Sequence, residues 1–179
     1  VIKQRLARGR RALDDLLAAA GVDQARFASA AVVLVLNKWD LIGDKGANTH
    51  LAHWEKFCTE VPFLTYAPWF TVSAESRQRT GRIMETVWEV HEGRQKRVST
   101  GQLNEFLEKV VAIQGPRTHG GGVGKIYYGT QIESAPPTFL LSVNEPKFFA
   151  RNYLRFINNK LREEFGFTGN RIFVKMKKH

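Results

Sequence analysis

The sequence has few of the features that mark secreted, membrane or zinc-binding proteins. Cys58 is the single cysteine in 179 residues, so no disulfide can form within the chain, which favours a reducing compartment. No apolar run reaches the roughly 18 residues of a membrane span, and no apolar signal-peptide core stands at the N-terminus. The five histidines have only Cys58 as a possible cysteine co-ligand, so we expect no metal site. These absences predict a cytoplasmic protein without a membrane partner.

Acidic residues are also fewer than basic residues. The chain has 17 Asp and Glu against 27 Lys and Arg, which gives a net charge of +10. A positive field attracts polyanions, and each phosphate that is neutralised releases bound counterions. RNA, or an RNA-rich particle, is therefore the predicted class of partner. The alternative is that the charge serves solubility alone.

An alternation of buried strands, loops and helices runs through the first half of the chain. Residues 30–36 and 68–72 are apolar runs that predict strands buried on both faces of a parallel sheet. Helices are predicted over residues 1–20 and 49–58 and after Gly81. The last of these carries apolar residues at core spacing, namely Ile83, Met84, Val87, Trp88 and Val90. This order predicts an α/β fold with a partial doubly wound sheet of the kind found in P-loop GTPases.

The pattern changes near Gly93, where a basic, non-periodic stretch predicts a boundary between a domain at 1–93 and another at 94–179. Ser99 and Gln102 have capping-box spacing ahead of a helix. The apolar face of that helix is predicted to be Leu103, Phe106, Leu107, Val110 and Val111. The remaining elements are predicted strands over 125–132, 138–143 and 172–176, and a long helix from Pro146 to Gly166. The second domain is therefore expected to be a small α+β fold of order α-β-β-α-β.

The tetrapeptide Asn37-Lys38-Trp39-Asp40 directly follows the first predicted strand, at the end where open α/β sheets place ligand loops. It fits the N-K-x-D pattern of guanine-nucleotide-binding domains. The Asp40 carboxylate can accept from both N1–H and the 2-amino group of guanine, a pair of donors that adenine lacks. Asn37 can bind the base and tie neighbouring loops together, and the aliphatic stem of Lys38 can cover the base. The alternative is that Asn37 and Asp40 only cap the next helix.

The second predicted strand ends in Ser73-Ala74. An S-A pair in that place of a GTP-binding domain lets a backbone N–H donate to the guanine O6 atom. Two motifs at the ends of two strands indicate a guanine site more strongly than either motif alone.

A phosphate-binding loop of the form G-x-x-x-x-G-K-[ST] is not recognisable. The stretch Gly120–Lys125 has His119 in place of the first glycine and Ile126 in place of the hydroxyl residue, and it precedes a strand rather than a helix. We interpret it as a flexible loop. A magnesium-binding Thr and a D-x-x-G segment are not recognisable either. We therefore assign no catalytic residue and expect this chain alone to be inactive as a GTP hydrolase.

Six stretches together resemble the C-terminal portion of the tandem-domain ribosome-assembly GTPases called Der or EngA. They are LVLNKWDLI (Leu34–Ile42), FTVSA (Phe70–Ala74), STGQLNEFLEKV (Ser99–Val110), KIYYGTQI (Lys125–Ile132), PPTFLLSVN (Pro136–Asn144) and YLRFINNKLREEFGFTGNRI (Tyr153–Ile172). Residues 1–30 do not follow the family closely.

The resemblance implies a GTPase that acts in maturation of the large ribosomal subunit. Its partners would be that subunit, ribosomal RNA and another GTP-binding domain of the same full-length protein. The second domain would be KH-like. GTP or GDP would be the ligand, with Mg²⁺ expected only in the complete protein. The guanine-binding residues would be Asn37, Lys38, Asp40, Ser73 and Ala74.

Classical KH domains grip RNA with a G-x-x-G loop between two helices. The strings Gly121–Gly124 and Gly166–Gly169 do not lie between helices, so neither is interpreted as that clamp. The predicted RNA or ribosome contacts are instead the basic residues Arg94, Lys96, Arg97, Arg117, Lys125, Lys175, Lys177 and Lys178. Two rival hypotheses remain: a non-catalytic RNA- or ribosome-binding KH-like module with a vestigial nucleotide site, and an adaptor that binds protein.

Overall fold

The computed structural model describes residues 14, 15, 18, 29–43 and 46–179. The chain divides into two compact units, Val1–His91 and Glu92–His179. The helix predicted over residues 1–20 lies outside the described residues except for Asp14, Asp15 and Ala18, which are helical. No helix within the described ranges is long and apolar enough to cross a membrane.

The first unit is built on a parallel pair of short strands. Strand β1 (Leu34–Leu36) pairs with β2 (Trp69–Thr71), with Val35 opposite Phe70. Helix α1 (Thr49–Glu60) connects them, and helix α2 (Gly81–Gln95) follows β2. This strand–helix–strand order agrees with the predicted α/β arrangement. The strands are shorter than the apolar runs that predicted them.

A small apolar cluster supports this sheet. Val32, Leu64 and Ala67 are buried together. On α1, Trp54 stacks on Trp69 of β2 with ring centroids 4.6 Å apart. This ring stack joins α1 to the sheet in addition to the buried cluster.

The predicted core face of α2 is wrong at three positions. Met84, Val87 and Trp88 are 70%, 42% and 63% exposed, whereas Thr86 and Val90 are buried. Apolar spacing along a helix marks a face that can be covered, but only the neighbouring elements decide which residues are covered. The two-stranded sheet of the described residues is too narrow to cover that whole face.

The second unit is a three-stranded sheet with two helices. Helix α3 (Thr100–Ile113) precedes β3 (Ile126–Glu133) and β4 (Thr138–Val143), which are antiparallel. Helix α4 (Arg151–Phe165) then leads to β5 (Phe173–Lys178), which is parallel to β4. The sheet order is β3-β4-β5, with β4 in the centre. The order α-β-β-α-β is the predicted one.

The core of the second unit lies between the helices and one sheet face. Helix α3 contributes Leu103, Phe106, Leu107 and Val110, α4 contributes Tyr153, Ile157 and Leu161, and β4 contributes Phe139, Leu141 and Val143. The predicted capping box is present, since Ser99 Oγ accepts from Gln102 N–H and the Gln102 side chain accepts from Ser99 N–H. The α4 helix begins at Arg151 rather than at Pro146, which starts a separate 3-10 turn.

The glycine-rich loop packs against aromatic rings. A Cβ at Gly122 would lie 2.5 Å from Phe148 Cζ, and one at Gly124 would lie 2.6 Å from Phe149 Cζ. These glycines therefore permit close approach of the backbone to a ring. The loop also leads directly into β3, as predicted, and not into a helix.

Candidate functional site

The loops after β1 and β2 lie side by side because the two strands are parallel and in register. Val72 N–H donates to Leu36 O at 2.9 Å, and Trp39 N–H donates to Val72 O at 3.0 Å. The ladder thus continues past the ends of both strands. It brings the segment Asn37–Asp40 next to Ser73 and Ala74, which are the two motifs that the sequence placed in one site.

The Asn37 side chain joins the two loops directly. Its Oδ1 atom accepts from Ala74 N–H at 3.1 Å and from Lys38 N–H at 2.7 Å. The first of these bonds links residues 37 positions apart in the chain. The Asn37 side chain therefore links the two loops in the structure. An oxygen of a ligand placed at Ala74 N–H would share this donor with Asn37 or replace it.

Lys38 adopts a backbone conformation that is uncommon for a side-chain-bearing residue. Its φ and ψ are 62° and 34°, in the left-handed region. Such a residue costs roughly 1–3 kcal/mol of strain and tends to occur at functional sites. The bond from Lys38 N–H to Asn37 Oδ1 fixes this turn locally, and the Lys38 side chain is exposed.

Asp40 lies in a single 3-10 turn, Trp39–Leu41, and is half-buried. Its neighbour Trp39 is buried and meets the His53 ring edge-on, with centroids 5.9 Å apart. The turn is therefore anchored by the indole of Trp39. This fixes the backbone on which the Asp40 carboxylate stands.

Ser73 is fully buried and organises the second loop. Its Oγ accepts from Ser76 N–H at 3.1 Å, and its own N–H donates to Gln78 O at 3.2 Å. Arg79 donates to Thr71 Oγ1 at 2.6 Å. Ala74, next to the buried serine, is exposed. Sequence reasoning missed Ser76, Gln78 and Arg79, for which only the Ser-x-x-Ser spacing of an ST turn offered a signal.

The two loops carry polar groups of both kinds, with Asn37 and Ala74 exposed and Asp40 half-buried. The Ala74 N–H is a donor, the Asn37 amide is both donor and acceptor, and the Asp40 carboxylate is an acceptor. A planar heterocycle with a carbonyl beside an N–H is the kind of ligand that such a set suits. Groups of three metal-ligating side chains do not occur among the described residues.

The predicted RNA-contact residues fall into separate places of the second unit. Lys125, Lys175 and Lys177 are exposed on or beside the sheet. Lys178 forms an ion pair with Glu145, with an N···O distance of 3.1 Å. Lys96 donates to Phe165 O at 2.7 Å, at the carboxyl end of α4.

The three arginines among the predicted RNA contacts lie outside the sheet. Arg94 belongs to the last turn of α2 and is half-buried. Arg97 and Arg117 are exposed, the first just before α3 and the second in the segment that follows it. The structure therefore places Lys175 and Lys177 on one strand, β5, whereas the three arginines lie outside the sheet.

Residues 97–177 match the family model described as the KH-domain-like region of EngA bacterial GTPase enzymes, C-terminal. GTPase Der of Fusobacterium nucleatum is 43% identical over 143 residues, which are 80% of this chain and 32% of that protein. GTPase Der of Caldanaerobacter subterraneus is 37% identical over 82% of this chain and 33% of its own length. GTPase Der of Bacillus thuringiensis is 40% identical, covering 80% and 33%.

A solved structure of Aquifex aeolicus Era bound to GDP and aluminium fluoride aligns with 82% of this chain and 55% of its own. Its TM-score of 0.27 and its 14% sequence identity are too low to show a common fold.

The chain has an α/β fold, and its residues 97–177 match the KH-like domain of bacterial GTPases. The chain spans about a third of the length of the curated relatives it matches. It belongs to the Der/EngA family, as the sequence stretches indicated, and corresponds to the C-terminal part of these proteins.

Proposed function

We propose that the first unit supplies the guanine-recognising loops of a GTP-binding site, in a protein that acts in assembly of the large ribosomal subunit. The observation that carries this proposal is the bond from Ala74 N–H to Asn37 Oδ1. It joins an N-K-x-D loop to an S-A loop at the carboxyl ends of two parallel strands, the place where α/β sheets bind nucleotides.

Each of the five site residues has a chemical part in this proposal. The Asp40 carboxylate accepts the guanine N1–H and 2-amino hydrogens, and the Ala74 N–H donates to O6 as a donor shared with Asn37 Oδ1. The stem of the exposed Lys38 covers one face of the base. Buried Ser73 holds the second loop in shape, while Asn37 sets the spacing between the loops. With adenine, Asp40 would lose both donors, at a cost of about 1–3 kcal/mol.

We assign this chain no hydrolytic step. The sequence has no recognisable phosphate loop, magnesium-binding Thr or D-x-x-G segment, which are the parts that hold magnesium and phosphate in such sites. Der relatives are named GTPases. Within this proposal, this chain contributes base selection, and the chemistry of the phosphates belongs to other segments of a complete family member.

The ribosomal part of the proposal is supported by charge and by family. A net charge of +10 favours RNA, and the KH-like match covers the second unit. Ribosomal RNA and a second GTP-binding domain of the full-length protein are the proposed partners. Salt dependence is the measurable signature, because binding to RNA weakens steeply with ionic strength.

The test of base selection is a titration of GTP, ATP and xanthosine triphosphate against the full-length product. Asp40→Asn should reduce GTP affinity and move the preference to xanthosine triphosphate, since the amide can donate to the xanthine 2-oxo group. Glu60→Gln, at the exposed end of α1, is the matched control and should leave the preference unchanged. Equal binding of GTP and ATP, insensitive to Asp40→Asn, would refute the proposal.

A second candidate is a non-catalytic RNA-binding module with a vestigial nucleotide site. The observation that favours it is the group of exposed lysines on the sheet of the second unit, Lys175 and Lys177 among them. Binding of RNA without any nucleotide preference would support this candidate over the first.

A further inference from the structure

The sheet of the second unit has one face packed on the helices and one face outside the core. Strand register assigns each residue to a face, because residues opposite each other in neighbouring strands point the same way. Phe139, Leu141 and Val143 of β4 are in the core. The alternate β4 residues, Leu140 and Ser142, therefore belong to the outer face.

The partners of those two residues complete two rows across the outer face. Ser142 is opposite Tyr128 on one side and Lys177 on the other. Leu140 is opposite Thr130 and Lys175. Each row thus ends in a lysine, and the first row begins with a tyrosine.

Aromatic rings are unusually exposed at this end of the sheet. Tyr128 is 50% exposed and Tyr127 is 45% exposed. The Tyr127 ring lies 4.7 Å from the His179 ring and has Lys125 Nζ 5.3 Å from its centroid. A half-exposed tyrosine pair leaves apolar ring surface in water, which is a cost that a stacking ligand would remove.

A shallow cavity of about 150 Å³ opens beside Tyr128. Its walls are Tyr128, Leu140, Ser142, Lys177, Lys178 and His179. The Ser142 Oγ and His179 Nδ1 atoms are 3.2 Å apart and supply polar groups to the same wall. The cavity thus has a ring, an apolar floor and cations within one base-sized space.

We propose that this outer sheet face binds single-stranded RNA, with an unpaired base stacked on Tyr128 and the flanking phosphates on Lys175 and Lys177. The inference rests on the RNA partner of the proposed function and deepens it by naming the RNA class and the surface. Stacking rings beside lysines are the usual means by which sheets bind single strands, since every base has a face to stack.

Charge and shape favour this occupant over a duplex or a protein. The bases of a duplex are stacked on each other and cannot cover an exposed tyrosine ring. A protein partner would need an acidic surface to match the lysines. Single-stranded RNA can stack bases on the tyrosine rings and place phosphates on the lysines at the same time.

The test uses the 179-residue chain and a fluorescein-labelled oligouridylate of about ten nucleotides, a typical single-strand site size, followed by fluorescence anisotropy. Tyr128→Leu should weaken binding about tenfold, because it removes the ring but keeps an apolar side chain. Tyr128→Phe keeps the ring and should stay close to the parent. Lys177→Ala should flatten the dependence of log affinity on log salt by about 0.7.

Lys109→Ala is the control for the lysine, since Lys109 is on α3 and α3 packs on the opposite sheet face. Photocrosslinking of a 4-thiouridine oligonucleotide gives a measurement that needs no variant, and the crosslinked peptide should contain Tyr127 and Tyr128. Crosslinks confined to α3, equal affinity of Tyr128→Leu and the parent, or equal affinity for duplex and single strand would each overturn the proposal. None of these readouts involves nucleotide selection by Asp40, so the two proposals fail separately.

Discussion

At the residue scale, one amide oxygen holds the candidate nucleotide loops together. Asn37 Oδ1 accepts from Ala74 N–H and Lys38 N–H. Asn37 is not the cap of the following helices, whose N-cap residues are Lys38 and Asn48. The motif suggested Asn37 as a loop tie, but it gave no sign that the following Lys38 would be left-handed. The bond from Lys38 N–H to Asn37 Oδ1 accompanies that conformation, and the pattern of residue types does not encode it.

Asn37→Ala should lower the free energy of unfolding of the first unit by about 1 kcal/mol, because one oxygen now serves two backbone donors. Unfolding in urea, followed by tryptophan fluorescence, measures this. Asn48→Ala is the matched control, since the Asn48 side chain makes no capping hydrogen bond to α1. Equal effects of the two substitutions would contradict the assigned role of Asn37.

A second residue-scale prediction concerns Tyr153, which is 6% exposed between Phe149 and Phe156. Its hydroxyl is buried and has no hydrogen-bond partner among the residues that the structure describes. Tyr153→Phe removes this unpaired group and should raise the free energy of unfolding by about 1 kcal/mol. Tyr128→Phe, at an exposed site, should change it little.

The same substitution should alter the alkaline limit of stability. Burial raises the pKa of the Tyr153 phenol, so the folded state keeps its proton where the unfolded state loses it. Stability therefore falls as the pH rises above the ordinary tyrosine pKa, about 10. Tyr153→Phe should show a smaller fall than the parent in thermal unfolding midpoints between pH 9 and 11. An identical fall would mean that the buried phenol does not contribute.

At the element scale, β3 crosses α3 at a glycine. A Cβ at Gly129 would lie 2.8 Å from Leu107 Cδ1 and Leu141 Cδ2 and 3.2 Å from Leu103 Cδ2. The three leucines are buried, so their methyl groups have little room to move aside. The Asn104 side chain bonds both backbone groups of Gly129, at 2.8 and 3.1 Å, and thereby fixes the crossing.

Gly129→Ala should therefore cost about 1–3 kcal/mol by overpacking. Gly101→Ala is the matched control in the first turn of α3, where a Cβ meets nothing within 4 Å, and it should be neutral or stabilising by up to about 1 kcal/mol. Far-UV circular dichroism during urea unfolding measures both. A neutral Gly129→Ala would show that the leucine side chains can rearrange.

How much the sequence could predict differs between elements. The capping box at Ser99 and four of the five predicted apolar-face residues of α3 are confirmed, because capping and 3.6-residue periodicity are local. The fifth, Val111, is wrong, since it lies at the edge of that face and is exposed. The start of α4 was misplaced, since Pro146 favours a first helical turn and does not reveal that the turn ends at Phe148. The exposure of Met84 and Trp88 depends on which elements cover α2, which no local pattern contains.

At the scale of the whole molecule, the two units have unequal cores. The second unit buries a cluster of fourteen hydrophobic residues, whereas the first buries three in its cluster, counting only the described residues. Burial of apolar area is the main favourable term in folding. The KH-like unit is therefore expected to be the more stable of the two.

The distribution of tryptophan makes this inequality measurable. All four tryptophans, Trp39, Trp54, Trp69 and Trp88, belong to the first unit, so their fluorescence reports on that unit alone. In urea, the tryptophan transition should have a lower midpoint than the main far-UV circular dichroism transition. Gly129→Ala should lower the second midpoint and leave the first in place, while Asn37→Ala should do the reverse. Coincident transitions for both probes in the parent would instead mean that the units unfold as one cooperative body, and the larger core would then stabilise the nucleotide loops as well.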